Sequence, residues 1–221
     1  MLAAPHRPVA VRYKAVLGGC LLTLEKRIHS FLHALRSRHC SNDALETMER
    51  FAHRIFGFPA IPSGPRLAPR ERAQLLYQRF SRPLRVCGVT PRSGLPGGAP
   101  FWVEHAAFGI SCQLVDPPQV IPDSSAQRQI WGSSTHFNPV DIVCSVRDFL
   151  GRPFSLSAFV DPSASLLVKR SCHGMPIYIL ERPGLWNGGM AFWNTVFFEV
   201  PGETAAPVKS LYDLLHPLHQ D

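Results

Sequence analysis

Four stretches of the sequence carry side chains whose types and spacing could do chemistry. "PRSGLPGGAPFWV", from Pro91 to Val103, sets a glycine-rich turn before an aromatic strand. Gly97 and Gly98 would permit positive φ and let backbone N–H groups approach a phosphate or a sugar. The pattern is neither a P-loop nor G-x-G-x-x-G, and a plain hairpin turn is the competing reading. "STHFNPVDIVC", from Ser134 to Cys144, places His136, Asn138 and Asp141 close together. A metal would need further ligands that the sequence does not place, and a structural turn at Asn138-Pro139 competes. "PGLWNGGMAFWNTVFFEVP", from Pro183 to Pro201, holds Trp186-Asn187 and Trp193-Asn194 around a glycine pair. Asn amides can both donate to and accept from sugar hydroxyls, and Trp faces pack on the apolar faces of sugars. Equally, both Trp could be core and both Asn could serve turns. "APVKSLYDLL", from Ala206 to Leu215, puts Lys209 before a final helix, where it could act as a point charge for phosphate. An ordinary surface lysine is the alternative.

The elements that must position these groups follow from periodicity. Leu17, Leu21, Leu24, Ile28, Phe31 and Leu35 alternate steps of four and three, which predicts a helix over Tyr13–Ser37 with one apolar face. Gly18 and Gly19 weaken it and suggest a kink or a close backbone approach. A second helix runs from Asn42 to about Phe56, capped by Ser41 or Asn42. A Pro/Gly-punctuated connector, Gly57 to Arg72, overlaps the start of a short helix over Arg70–Phe80. After Arg82 the texture becomes strand-like: Leu84–Val89, Pro100–Ala106, Ile110–Val115, Val140–Val146, Met175–Glu181 and Asn194–Val200. A short helix closes the chain. Helices first and strands afterwards predict an α+β fold, or part of a larger mixed sheet, divided into a basic helical segment over 1–82 and a strand-rich part over 83–221. The apolar strands "VDIVCSV" and "NTVFFEV" read as buried central strands.

The chain has 221 residues, 45% of them hydrophobic, which supports a real core and excludes a disordered chain. The formal net charge is +7. Residues 1–92 hold 16 Lys and Arg against 5 Asp and Glu; the remainder holds 7 against 11. A nucleic-acid surface would suit that asymmetry, but the arginines of "PRLAPRERAQ" are not interleaved with stacking aromatics, so nucleic acid is not an expected partner. The six cysteines are at least twenty residues apart, without a C-x-x-C. "AVLGGCLLTL" lacks a cleavage site and is too short to span a bilayer. A cytoplasmic protein with reduced thiols and no membrane partner is expected.

Taken in order, "RPLRVCGV", "PGGAPFWV", "ISCQLVD", "THFNPVDIVC", "PGLWNGGMAFWNTVFFEVP" and "APVKSLYDLLHPLHQ" resemble the C-terminal half of a bacterial domain family of unknown function. That family is related to the UDP-sugar pyrophosphorylases, nucleotidyltransferases of the nucleotide-diphospho-sugar fold. "YKAVLGGCLLTLEKRI" fits the helix preceding this half. The resemblance implies that Asn194, with Asn187 beside it, touches sugar, that Asp116 of "QLVDPPQV" supplies a carboxylate to it, and that Lys209 meets the diphosphate as the catalytic cation. Gly97 and Gly98 belong to the family's glycine run, broken here by Ala99. Ala205 stands where an aromatic is usual.

The resemblance also implies Mg²⁺, whose ligands would precede Met1, together with a glycine-rich nucleotide loop that this sequence lacks. The expectation is a truncated or split nucleotidyltransferase-like half that binds a nucleotide sugar or sugar phosphate, partnered by a missing N-terminal half. A non-catalytic nucleotide-sugar or sugar-binding module is the alternative.

Overall fold

The computed structural model describes residues 7–37, 40–59, 67–92, 97–105, 109–121, 123–138, 141–185, 187–204, 208 and 211–220. The fold is α+β, with three helices ahead of the strands. Helix α1 spans Arg7–Arg36, α2 Asn42–Phe56 and α3 Pro69–Phe80. The strand-rich part holds β1 (Leu84–Pro91), β2 (Ala99–His105), β3 (Gly109–Val115), α4 (Ser125–Gly132), β4 (His136–Phe137), β5 (Ile142–Ser145), β6 (Leu166–Cys172), β7 (Met175–Glu181) and β8 (Asn194–Glu199).

Helix α1 starts six residues earlier than its periodicity predicts and runs unbroken through Gly18 and Gly19. A Cβ at either glycine would meet nothing within 4 Å, so neither serves a close approach. Ser41 caps α2 by accepting from the Ala44 N–H at 3.2 Å, and Gly57 ends it in the left-handed region at φ 64°. Arg72 clamps α3 to α2 by donating from Nε and Nη2 to the two carboxylate oxygens of Glu49, each at 2.8 Å.

Strand β1 is the spine. It pairs in parallel with β8 from Leu84↔Asn194 to Val89↔Glu199, antiparallel with β5 from Leu84↔Ser145 to Cys87↔Ile142, and antiparallel with β4 at Thr90 and Pro91. All but its last residue are buried. The central buried strand is therefore β1; β5 is only partly covered, and β8 is buried at its start and opens toward its end. Side chains alternate across the sheet. Leu84 and Val86 enter the main core with Leu17, Ile28 and Leu32 of α1, Leu45 and Met48 of α2 and Leu76 and Phe80 of α3, and Val196 and Phe198 pack against it from β8. Arg85 and Cys87 point to the opposite face. That face meets the β2–β3 hairpin, which is held in register from Ala99↔Val115 to His105↔Gly109.

Strands β6 and β7 form a separate hairpin turned by His173 and Gly174, both at positive φ (51° and 79°), as a two-residue hairpin with matched twist requires. Leu167, Tyr178 and Leu180 are exposed on it. The closing segment forms 3-10 turns over Leu211–Leu215 and Pro217–His219, not the expected helix. Among the described residues, no helix is long and apolar enough to cross a membrane.

Candidate functional site: a cavity between the sheet and the β2–β3 hairpin

A cavity of about 380 Å³ opens between the helix-free face of the sheet, the β2–β3 hairpin and the loops around Asp161 and Gly188. That volume lies within the range of small-molecule sites. Arg82 and Arg85 line it from the start of the sheet, Trp102 and Gln113 from the hairpin, Trp131 from α4, and Met190 and Phe192 from the loop before β8.

Two aromatic pairs stiffen the walls. Phe101 and Trp131 stack with centroids 5.2 Å apart and planes at 27°, and His105 meets Phe192 edge-on at 4.7 Å. The Arg92 guanidinium lies 5.8 Å from the centre of the Trp131 ring. Trp102 is 61% exposed, and its ring sits over Gly57, where a Cβ would lie 2.0 Å from the indole. The helix-ending glycine thus makes room for an aromatic ring of the hairpin.

Arg85 is the deepest charge, 2% exposed. Its Nε donates to Thr195 Oγ1 at 2.8 Å and its Nη2 to Gln113 Oε1 at 2.7 Å. Gln113 Nε2 in turn donates to Ser111 Oγ at 3.2 Å. Nη1 is buried without a hydrogen-bond partner. Burial pulls the Arg85 guanidinium below its ordinary pKa. Burial, and then the charge of Arg79, lower Arg82 to about 10, so it remains a cation at neutral pH. Burial likewise pushes the thiols of Cys87 and Cys112 up, to about 12 and about 11; both stay neutral beside Arg85.

The described residues among those implied by the resemblance lie off the cavity wall. Gly98 is buried, and its carbonyl accepts from the Asn138 N–H at 2.7 Å, while a Cβ on Gly97 would come within 3.1 Å of the Asn138 carbonyl oxygen. The glycine run thus lets the chain pass close to the β4 end. Asp116 follows β3; its N–H donates to Gln119 Oε1 at 2.8 Å and its carbonyl accepts from the Gln119 N–H at 2.9 Å. Asn187 builds a turn: its Oδ1 accepts from the Gly184 N–H at 2.7 Å and its Nδ2 donates to the Ala164 carbonyl at 3.4 Å. The glycines beside it are required there. Gly188 sits at φ 91° with Ala164 Cβ 2.4 Å from where its own Cβ would be, and a Cβ on Gly189 would collide with the Gly184 carbonyl at 2.5 Å.

Asn194 is 1% exposed, and both of its amide atoms lack a partner. Its register opposite Leu84 puts it on the helix-facing side of β8. None of Gly97, Gly98, Asp116, Asn187 and Asn194 is among the cavity's lining residues, although Asp116 and Asn187 are chain neighbours of lining residues Val115 and Gly188. Lys209 and Trp186 lie outside the described residues.

The His136, Asn138 and Asp141 group separates into structural tasks. His136 Nε2 lies 3.4 Å from Glu199 Oε2, Asn138 Nδ2 donates to the Gly88 carbonyl at 2.6 Å, and Asp141 lies 3.6 Å from Lys14 Nζ. No group of three or more His, Cys, Asp or Glu among the described residues could hold a metal. The cavity's carboxylates are Glu104, exposed on β2, and Asp161, whose Oδ1 already accepts from the Ser163 N–H and hydroxyl. These donors do not fit the implied Mg²⁺.

The sequence reading missed Arg85, Gln113, Trp102 and Trp131. The signal for the first two was present: "LRVCGV" and "ISCQLV" each place one long polar side chain inside an apolar strand.

Residues 2–220 match the family described as a domain of unknown function, DUF4301. The chain belongs to that family. No curated protein matches the chain. Among solved structures it is similar to a point mutant of UDP-glucose pyrophosphorylase from Leishmania major in complex with UDP-glucose, at 16% identity and a TM-score of 0.35. The match covers 68% of this chain but only 33% of that one.

Proposed function

We propose that this DUF4301 chain binds a nucleotide sugar or a sugar phosphate in the cavity between the sheet and the β2–β3 hairpin, as the binding part of a nucleotidyltransferase-like protein. The observation that carries the reading is the cavity itself: about 380 Å³, walled by the stacked Phe101–Trp131 pair and the exposed Trp102, with Arg85 and Gln113 at its inner end. Apolar walls with a few converging polar groups are the ordinary construction of a ligand site, and aromatic faces suit both a base and the apolar face of a sugar. The ordered motifs that resemble those of a family related to the UDP-sugar pyrophosphorylases support the choice of ligand class. The roles toward sugar and diphosphate that the resemblance implies for Asp116 and Asn187, chain neighbours of the cavity's lining, and for Lys209 belong to this proposal; the sugar contact it implies for Asn194, off the cavity wall, does not.

Calorimetric titration of the full chain with UDP-glucose, glucose 1-phosphate and uridine tests it. Saturable binding of at least one, weakened when Trp102→Ala removes the exposed ring, is the expected result. No heat and no thermal stabilisation with any of the three would refute it.

A further inference from the structure

Arg85 is a buried cation without a counter-ion. It makes no ion pair with any described residue, and both hydrogen-bond partners of its guanidinium, Thr195 Oγ1 and Gln113 Oε1, are neutral. Those two bonds hold the planar group in one orientation. Thr195 is anchored in turn, its hydroxyl lying 3.3 Å from the Trp193 carbonyl, and Gln113 is anchored by Ser111. Two of the three guanidinium nitrogens are thus used for positioning, and the third, Nη1, is left with nothing to bond. Buried charges in folded proteins are paired or hydrogen-bonded, because desolvating an ion is costly. Here the pairing has to come from outside the described chain, and Arg85 lines an open cavity through which it can come. Arg82 lines the same cavity and adds a second positive charge; the acidic lining residues are Glu104, exposed, and Asp161, whose Oδ1 accepts from Ser163, and neither pairs with Arg85.

We propose that Arg85, oriented by Gln113 and Thr195, is the oxyanion subsite of the cavity, and that the ligand enters with a phosphate or carboxylate group leading toward Nη1. A fixed guanidinium fork is the side chain best suited to such groups. The proposal rests on the reading that the cavity is a ligand site, but not on the ligand being a nucleotide sugar.

The test titrates the full chain with inorganic phosphate and with acetate, at constant ionic strength, followed by UDP-glucose. Arg85→Gln and Arg85→Lys are compared with wild type. The expected result is saturable oxyanion binding by wild type that falls at least tenfold in Arg85→Gln and also falls in Arg85→Lys, which keeps the charge but loses the fork. Should Arg85→Gln fail to fold, Arg85→Lys and the wild-type titrations decide. Binding of phosphate alone identifies a phosphoryl ligand, and binding of acetate as well identifies a general oxyanion; both support the subsite. If neither anion binds, or if both variants bind them as wild type does, the proposal is overturned. Phosphate binding that depends on Arg85, without any UDP-glucose binding, would refute the nucleotide-sugar reading and leave the subsite standing. UDP-glucose binding indifferent to Arg85 would do the reverse.

Discussion

Asn194→Leu should stabilise the protein. The Asn194 side chain is 1% exposed, on the face of β8 that packs against the helices, and neither its Nδ2 nor its Oδ1 has a partner. A buried polar group left unpaired costs roughly 1–3 kcal/mol, so two such atoms cost about 2–6 kcal/mol. Leu has the same number of side-chain heavy atoms but is bulkier and not planar, and fitting it costs about 1–3 kcal/mol. The balance is a net gain of about 2 kcal/mol, which raises Tm by roughly 4–8 °C in a chain of this size. Asn194→Asp is the opposing control, because it places an unpaired charge in the same position and should destabilise by more than about 3 kcal/mol. Urea unfolding followed by circular dichroism reads both, with UDP-glucose affinity measured alongside; the position of Asn194 off the cavity wall predicts an unchanged affinity. Destabilisation of Asn194→Leu by more than about 1 kcal/mol would show that the amide has a partner and that the assignment of its two atoms as unpaired is wrong. Loss of affinity in a more stable variant would instead establish the sugar contact that the family resemblance implies.

Ile28→Asp, at a buried position of the α1 stripe, should cost several kcal/mol in urea unfolding by burying a charge without a partner. Gly57→Ala should cost about 1–2 kcal/mol for the left-handed backbone alone, and it should shift Trp fluorescence because the new Cβ displaces the Trp102 ring. Alkylation mapped by mass spectrometry at pH 8 should mark the exposed Cys172 while sparing Cys87 and Cys112. Burial holds those two thiols at about 12 and about 11, so their thiolate fraction rises only as pH approaches those values. Leu167→Lys with Leu180→Glu, opposite each other on the exposed hairpin, should lower binding of a hydrophobic dye while leaving stability within about 0.5 kcal/mol.

The parts of the fold legible in the sequence are those whose burial writes a period into the chain. Helices α1, α2 and α3 each keep an apolar stripe against the core, and their predicted spans match to within a few residues at most ends. Helix α4 was invisible because none of its residues is buried, so packing imposes no stripe on it. Strand β6 was missed because "LLVKRSC" mixes apolar and charged residues, and only Leu166 and Val168 of it are half-buried. Apolar content alone was misleading for β5, where the sequence reads as a central strand but the burial belongs to β1.

The site was hidden for a different reason. Strand alternation sends neighbouring residues to opposite faces, and the pairing of Leu84 with Asn194 and of Arg85 with Thr195 decides which residues meet the helices and which meet the hairpin. That pairing joins positions over a hundred residues apart and leaves no local trace in the sequence. It also separates the two unpaired polar groups of the sheet by what can reach them. Asn194 lies under the helices and outside the cavity wall, so a ligand in the cavity cannot satisfy it without rearrangement, and its unpaired amide is a cost the fold carries alone. Arg85 lies one residue further along the paired register, on the face that opens to solvent through the cavity. Its missing partner can therefore arrive from solution, and this is why the buried arginine, rather than the asparagine, is the group through which a ligand would be recognised.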